Sequence, residues 1–178
     1  MAMTLDRVVV TTEEINAMVA RVADELRVKL TGVERPLFVG VMAGSYIWMA
    51  DLLRNLAFDF DIDSDYIDVS SYSGDASTGE IKIVQDVQRD LAGRTVVILD
   101  EVIDTGLTLQ YLKDNFLARG AAKVYIAVAA DKGLKTDFMD FEPDFVGTKV
   151  PNEFLVGYGM DYNDHYRNLP TISVLKLD

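Results

Sequence analysis

The sequence contains no cysteine, one histidine and only four prolines. The first absence excludes disulfides, thiolate nucleophiles and Cys-ligated zinc, and fits a reducing compartment. A lone histidine excludes the two-histidine zinc motifs. With so little proline, no Pro- or Ser-rich linker and no internal repeat, nothing marks a second domain. At about 150 residues per domain, the 178 residues read as one domain spanning 1–178. Basic residues are also scarce: 17 Lys+Arg face 29 Asp+Glu, a net charge of −12. A field of that sign repels nucleic-acid backbone and anionic membrane, so neither is expected as a partner. An anionic ligand would have to be held by local backbone donors, a few cations or a metal. No apolar run is long enough to cross a bilayer. Residues 1–7 lack a basic stretch leading into an apolar one, so no signal peptide is read and the expected location is cytoplasmic.

What is present is an ordinary globular composition, 49% hydrophobic and 26% charged, which excludes disorder as the main state. The first regular element read is an amphipathic helix over 11–30. Thr11 and Glu14 have capping-box spacing, and Ile15, Met18, Val19, Val22 and Leu26 share one face. A short apolar run at 37–41 predicts a buried strand. Ser45 is placed to cap a helix over 46–56, and 66–72 alternates as a strand. The segment 73–79 is small, polar and glycine-bounded, the composition of a mobile loop. Residues 81–87 resume a strand pattern, and 95–99 is the strongest buried-strand candidate. A helix follows to about Arg119, stopped by Gly120, with further strands at 124–129, 145–146, 154–156 and 172–177. Short, continuous, apolar strands alternating with helices predict an α/β fold, a parallel sheet covered on both faces. Ligands of such sheets bind beyond the carboxyl ends of the strands, so the loops after Val41 and Leu99 are the places to look for chemistry.

The second of these loops is the richest. Leu99-Asp100-Glu101-Val102-Ile103-Asp104-Thr105-Gly106-Leu107-Thr108 runs from a buried strand into two adjacent acids, an apolar pair, a third acid, and a Thr-Gly-x-Thr stretch that opens a helix. Backbone N–H groups and hydroxyls of the last part can wrap a phosphate at the positive helix end. Acids beside a phosphate make sense when the ligand also carries a ribose diol, a bound Mg²⁺ or a transition state with positive charge. Signatures of other chemistries are missing. No Gly-rich dinucleotide fingerprint, no phosphate-loop ATPase spacing and no Gly-x-Ser-x-Gly elbow occurs.

This run resembles the ribose-phosphate signature of type I phosphoribosyltransferases. The resemblance covers nearly all of the chain from Thr11 onward. Val41-Met42-Ala43-Gly44-Ser45 and the helix after it look like the family's pyrophosphate loop, and Ser70-Ser71-Tyr72 before the glycine-bounded loop looks like its lid. Asp131-Lys132, the segment 151–162 and Tyr166-Arg167-Asn168-Leu169-Pro170 are similar to the 6-oxopurine, hypoxanthine-guanine branch. The resemblance implies a mostly parallel sheet with helices on both faces, plus a small base-binding hood built from the terminal segments.

By the same resemblance, the substrates are phosphoribosyl pyrophosphate and a 6-oxopurine, the products a nucleotide and pyrophosphate, the cofactor Mg²⁺, and the assembly a homodimer or homotetramer. Asp104 would handle the proton near purine N7, and Asp104, Thr105, Gly106, Leu107 and Thr108 would cradle the 5′-phosphate. Asp100 and Glu101 would hold the ribose and a metal, and Asp161 would help hold a second metal. Ala43, Gly44 and Arg167 fall at the pyrophosphate; a guanidinium suits it because it forms paired bonds to phosphate oxygens. Val102, Lys132, Phe154, Leu155 and Asp161 fall at the purine, with Lys132 donating to its exocyclic oxygen and Phe154 offering a face for stacking. Ser71 and Tyr72 belong to the lid. The chain departs from the family pattern twice: Ala43 stands where a lysine is usual, and the acid pair is Asp100-Glu101 rather than Glu-Asp. His165, beside Asp164 and Tyr166, reads as exposed and without a catalytic role.

Overall fold

A computed structural model describes residues 3–57, 61–71, 81–134 and 141–177. The chain opens with strand β1, Met3–Val10, then helix α1, Thr12–Lys29. The capping box forms as expected: the Thr11 hydroxyl accepts from the Glu14 N–H at 3.2 Å, and the Glu14 carboxylate accepts from the Thr11 N–H at 2.8 Å. Thr11→Ala is therefore expected to cost about 1 kcal/mol of stability. A shift in urea midpoint at unchanged slope would register it, and an unchanged midpoint would refute the cap's contribution.

Next come β2 (Leu37–Met42), α2 (Tyr46–Asn55), β3 (Asp63–Ser71), β4 (Ile81–Gln85), β5 (Thr95–Ile103), α3 (Leu107–Ala118), β6 (Lys123–Asp131) and β7 (Phe145–Lys149). Strands β8 (Leu155–Val156) and β9 (Ile172–Leu177) follow. The central sheet has the order β4-β3-β2-β5-β6-β7, parallel throughout except for the antiparallel edge strand β4. Apolar residues on alternate positions of β5 explain the layering. Val97 and Leu99 pack with α1 and α2, while Val96 and Ile98 pack with α3. Both faces are thus covered by helices, which is why the strands read as continuous apolar runs.

The terminal segments form a second, three-stranded sheet, β1-β9-β8. Its Leu155, Ile172 and Val174 bury into the same apolar cluster as α1 and α2, so it closes over that layer. At the opposite end of the central sheet Arg35, Arg89 and Arg94 converge on the buried carboxylate of Asp63. Hydrogen bonding from Arg94 holds that carboxyl below its ordinary range.

Three expectations are corrected here. The buried strand does not end at Leu99; β5 continues to Ile103, carrying Asp100 and Glu101 within it. Its neighbour β2 stops pairing at Gly40 opposite Leu99, and the acid-bearing end is laddered by β6 alone. Ser45 precedes α2 but does not cap it: its backbone is already helical, φ −77 and ψ −7, and the buried hydroxyl has no partner among the described residues. Finally, a strand precedes the first helix. Tyr72 and the segment 73–79, the expected lid, lie outside the described residues apart from the backbone of Ser71 at the end of β3.

Candidate active site

The carboxyl ends of β2, β5 and β6 come together under the second sheet. The turn between β5 and α3 supplies one wall. Gly106 takes φ +76, a left-handed conformation that a side chain would strain, and this swings the chain into α3; Gly106 itself offers no cap, and the Leu107 N–H donates to the Thr105 hydroxyl at 3.4 Å. Asp100, Val102, Asp104, Thr105, Gly106 and Thr108 line a cleft of about 320 Å³ here, together with Ile103, Leu107 and Leu109. All five residues expected at the 5′-phosphate are thus in one wall.

A second cleft of about 410 Å³ adjoins it and shares Val102. Its lining is Glu101, Val102, Lys132, Phe154, Leu155, Met160 and Asp161. Every residue expected at the purine is present; Met160 was not expected. Phe154, whose default in a strand is core, is 45% exposed and stands edge-on to Tyr162 with ring centroids 5.6 Å apart. One aromatic face is therefore open to the cleft mouth.

Lys132 joins the two clefts. It follows β6 directly, its N–H donating to the Ile103 carbonyl at 3.3 Å, and its Nζ donates to Asp104 Oδ2 at 2.9 Å. The lysine side chain is only 14% exposed whereas that of Asp104 is 51% exposed. A largely sheltered ammonium thus sits next to a carboxylate that projects between the clefts.

The acid pair is differently placed. Asp100 is buried, and Glu101 is half-buried with its carboxylate against the turn that follows β2. Burial first, and the neighbouring Glu101 charge second, push the Asp100 carboxyl well above the ordinary carboxylate range. A raised acid favours the fold at low pH. That advantage is lost as pH rises from the unfolded value of about 3.9 through the raised folded one. The donor set at this pair is oxygen only, and Mg²⁺ needs just one or two carboxylates when substrate phosphates complete its shell. The residues therefore fit that ion. Among the described residues no three acids or histidines are grouped to hold one ion, so Asp100, Glu101 and Asp161 do not form a single metal site, although Glu101 and Asp161 line one cleft.

The turn itself, Ala43 to Ser45, is pinned from two sides. A Cβ on Gly44 would lie 2.0 Å from a Glu101 carboxylate oxygen, and a Cβ on Gly159 would lie 1.9 Å from the Gly44 carbonyl oxygen. Gly159 also has φ +100. Gly159→Ala is therefore expected to cost about 1–3 kcal/mol through strain and displacement of the turn. Chemical unfolding measures this, and a loss below a few tenths would show that the contact is slack. Ala43 is exposed at the tip and joined to Met42 by a cis peptide bond. Arg167 lies beside this contact. Its Nη1 donates to the Gly159 carbonyl at 2.8 Å and pairs with Asp161 at 3.0 Å, while Nη2 meets Asp164 at 3.2 Å. It is thus engaged within the second sheet's loop rather than pointing as an unpaired cation at the turn. Asp161 also accepts the Asp164 N–H at 2.7 Å. His165 is exposed, as expected.

Sequence reasoning missed Gly159 and Met160. The repeated glycines around Tyr158 were the one available signal, since glycine flanking an aromatic suggests a close backbone approach.

A parallel sheet ending in an acid pair, a phosphate-type turn into a helix and a hood over an open cleft define a type I phosphoribosyltransferase. The family model for the phosphoribosyl transferase domain matches residues 10–163, and the chain belongs to that family. Within it, the chain falls in the hypoxanthine-guanine branch. It is 42% identical over 175 residues to a hypoxanthine-guanine phosphoribosyltransferase of Streptococcus mutans, covering 98% of this chain and 95% of that one. It is 44% identical over 156 residues to the enzyme of the same name from Streptococcus agalactiae, covering 85% of each. A crystal structure of a hypoxanthine phosphoribosyltransferase from Staphylococcus aureus superposes with a TM-score of 0.89 at 34% identity, covering 97% of this chain and 92% of that one. Among the described residues no helix is long and apolar enough to cross a membrane.

Proposed function

We propose that this protein transfers the phosphoribosyl group of phosphoribosyl pyrophosphate to N9 of hypoxanthine or guanine, with Mg²⁺, in the cytoplasm. The observation that carries the reading is the pair of adjoining clefts bridged by Lys132 and Asp104. The 5′-phosphate lies against the first turn of α3, where N–H groups and the positive helix end favour an anion. The ribose hydroxyls donate to Asp100 and Glu101. The purine lies between Val102 and Phe154, its 6-oxygen accepting from Lys132 and its remaining edge meeting the Leu155 and Asp161 backbone.

The C1′–oxygen bond to the diphosphate breaks with both electrons leaving on pyrophosphate. The N9 lone pair forms the new bond, and the proton on N7 passes to the Asp104 carboxylate. Positive charge developing at C1′ is stabilised by the acids of β5. Asp100 with Glu101, and separately Asp161, would hold Mg²⁺, which when bound neutralises the departing diphosphate. The turn at Ala43 and Gly44 offers its backbone to that diphosphate, with Arg167 alongside. The active form is a homo-oligomer.

The test is a spectrophotometric assay with each 6-oxopurine, with and without Mg²⁺. Nucleotide formation from hypoxanthine or guanine that requires the metal supports the reading; conversion of neither base refutes it.

A further inference from the structure

The tip of the hood touches both the Gly44 turn and the helix behind it. Beside the Gly159 approach to Gly44, the hydroxyl of Tyr158 donates to Asp51 Oδ2 at 2.9 Å across 107 residues of sequence. Asp51 lies on α2 about one and a half turns beyond its start. Its other oxygen accepts from Arg54 at 2.6 Å, which fixes the carboxylate's orientation.

Tyr158 itself is only 3% exposed and has φ +49, an unusual conformation for an aromatic residue. It is held by hydrogen bonds from its own N–H to the Leu169 carbonyl and from the Gly159 N–H to the Arg167 carbonyl, each 2.9 Å. Burial, followed by the nearby Asp51 charge, pushes the phenol above its ordinary range, so the hydroxyl keeps its proton and remains a donor. The helix is also anchored one turn earlier by Trp48, whose indole N–H donates to the Ala127 carbonyl at 3.3 Å. Trp48 thus ties α2 to β6, and the Tyr158–Asp51 bond joins the hood to the same helix.

We propose that Tyr158 is a positioning residue. Through Asp51 it sets how the Gly44 turn seats against the hood, and hence how well the turn's backbone meets the diphosphate. The inference rests on the assignment of that turn to the diphosphate made above. Phe154 and Lys132, assigned above to the base, engage Tyr162 and Asp104 and are not partners in the Tyr158 hydroxyl bond. Loosening that bond should therefore act on one substrate and spare the other.

The experiment compares Tyr158→Phe, Asp51→Ala and Asp51→Asn with the parent in steady-state kinetics and in calorimetric titration with phosphoribosyl pyrophosphate and Mg²⁺. Tyr158→Phe and Asp51→Ala should weaken phosphoribosyl pyrophosphate binding and raise its KM roughly 3- to 30-fold, the range for losing part of a charged hydrogen bond. The KM for hypoxanthine should stay within about twofold, because the bond lies outside the purine cleft. Asp51→Asn, which keeps a carbonyl acceptor, should recover most of the loss. A bond that only holds the fold together would lower the melting temperature and leave both KM values alone, which overturns the proposal, as does an equal rise in both. A parent chain that forms no nucleotide at all overturns the functional reading and this inference with it. An active parent with an unaltered Tyr158→Phe variant overturns only the latter.

Discussion

Asp104→Asn is expected to lower kcat by roughly 10²–10⁴-fold, the span for a lost general acid or base, while leaving the fold and much of the substrate binding intact. The side chain is half exposed and packs against nothing in the core, so the substitution opens no cavity. An amide oxygen can still accept from Lys132 Nζ, now 2.9 Å from the carboxylate, so the lysine keeps its seat. What asparagine cannot do is take a proton. The measurement is turnover with hypoxanthine at saturating phosphoribosyl pyrophosphate, alongside thermal unfolding. Turnover within a few-fold of the parent would remove Asp104 from the proton transfer.

The second large effect concerns the base. Adenine should be rejected against hypoxanthine by about 10⁴-fold in kcat/KM, the discrimination typical of a site built around one hydrogen bond. Lys132 has donors only, and its side chain is mostly withdrawn from solvent. Set against the 6-amino group of adenine it would face another donor, and little water could reach in to relieve the mismatch. Hypoxanthine presents a carbonyl oxygen at the same position. Competition assays with the two bases at equal concentration read the ratio directly. Adenine turnover within tenfold of hypoxanthine would mean that Lys132 does not read the 6-position.

Much of this architecture was legible because its signals are local. Thr11 and Glu14 lie three residues apart and make the bonds their spacing implies. Asp100, Asp104 and the Thr-Gly turn lie within seven residues of sequence and line one cleft, while Glu101 lines the adjoining one. The unread parts depend on contacts between distant residues. Strand β1, with only a mixed pattern of its own, becomes a strand because Met3 to Val10 ladder with Leu177 to Ile172 at the far end of the chain. The extension of β5 past Leu99 needs β6 beside it, since acids have low strand propensity alone. Phe154 reads as core by composition, and only the position of Tyr162 and the open cleft turn it outward. The glycines around Tyr158 hint at a close backbone approach, but nothing local names Gly44 as the group that fills the space beside Gly159. Likewise Arg167 reads as a cation available to phosphate, while its pairing with Asp161 and Asp164 is a property of the folded loop.

The chain carries a single tryptophan, and it is the fully buried Trp48 of α2. Its emission is consequently an optical label for one layer of the molecule, already installed. The terminal sheet and its loops contain Tyr158, Tyr162 and Tyr166 but no indole, and stay dark when excitation is set to the red edge of the absorption band. Far-ultraviolet circular dichroism, by contrast, averages over every helix and strand. Where the two signals part company along a denaturation curve, the helix behind the Gly44 turn is changing its surroundings separately from the rest of the fold.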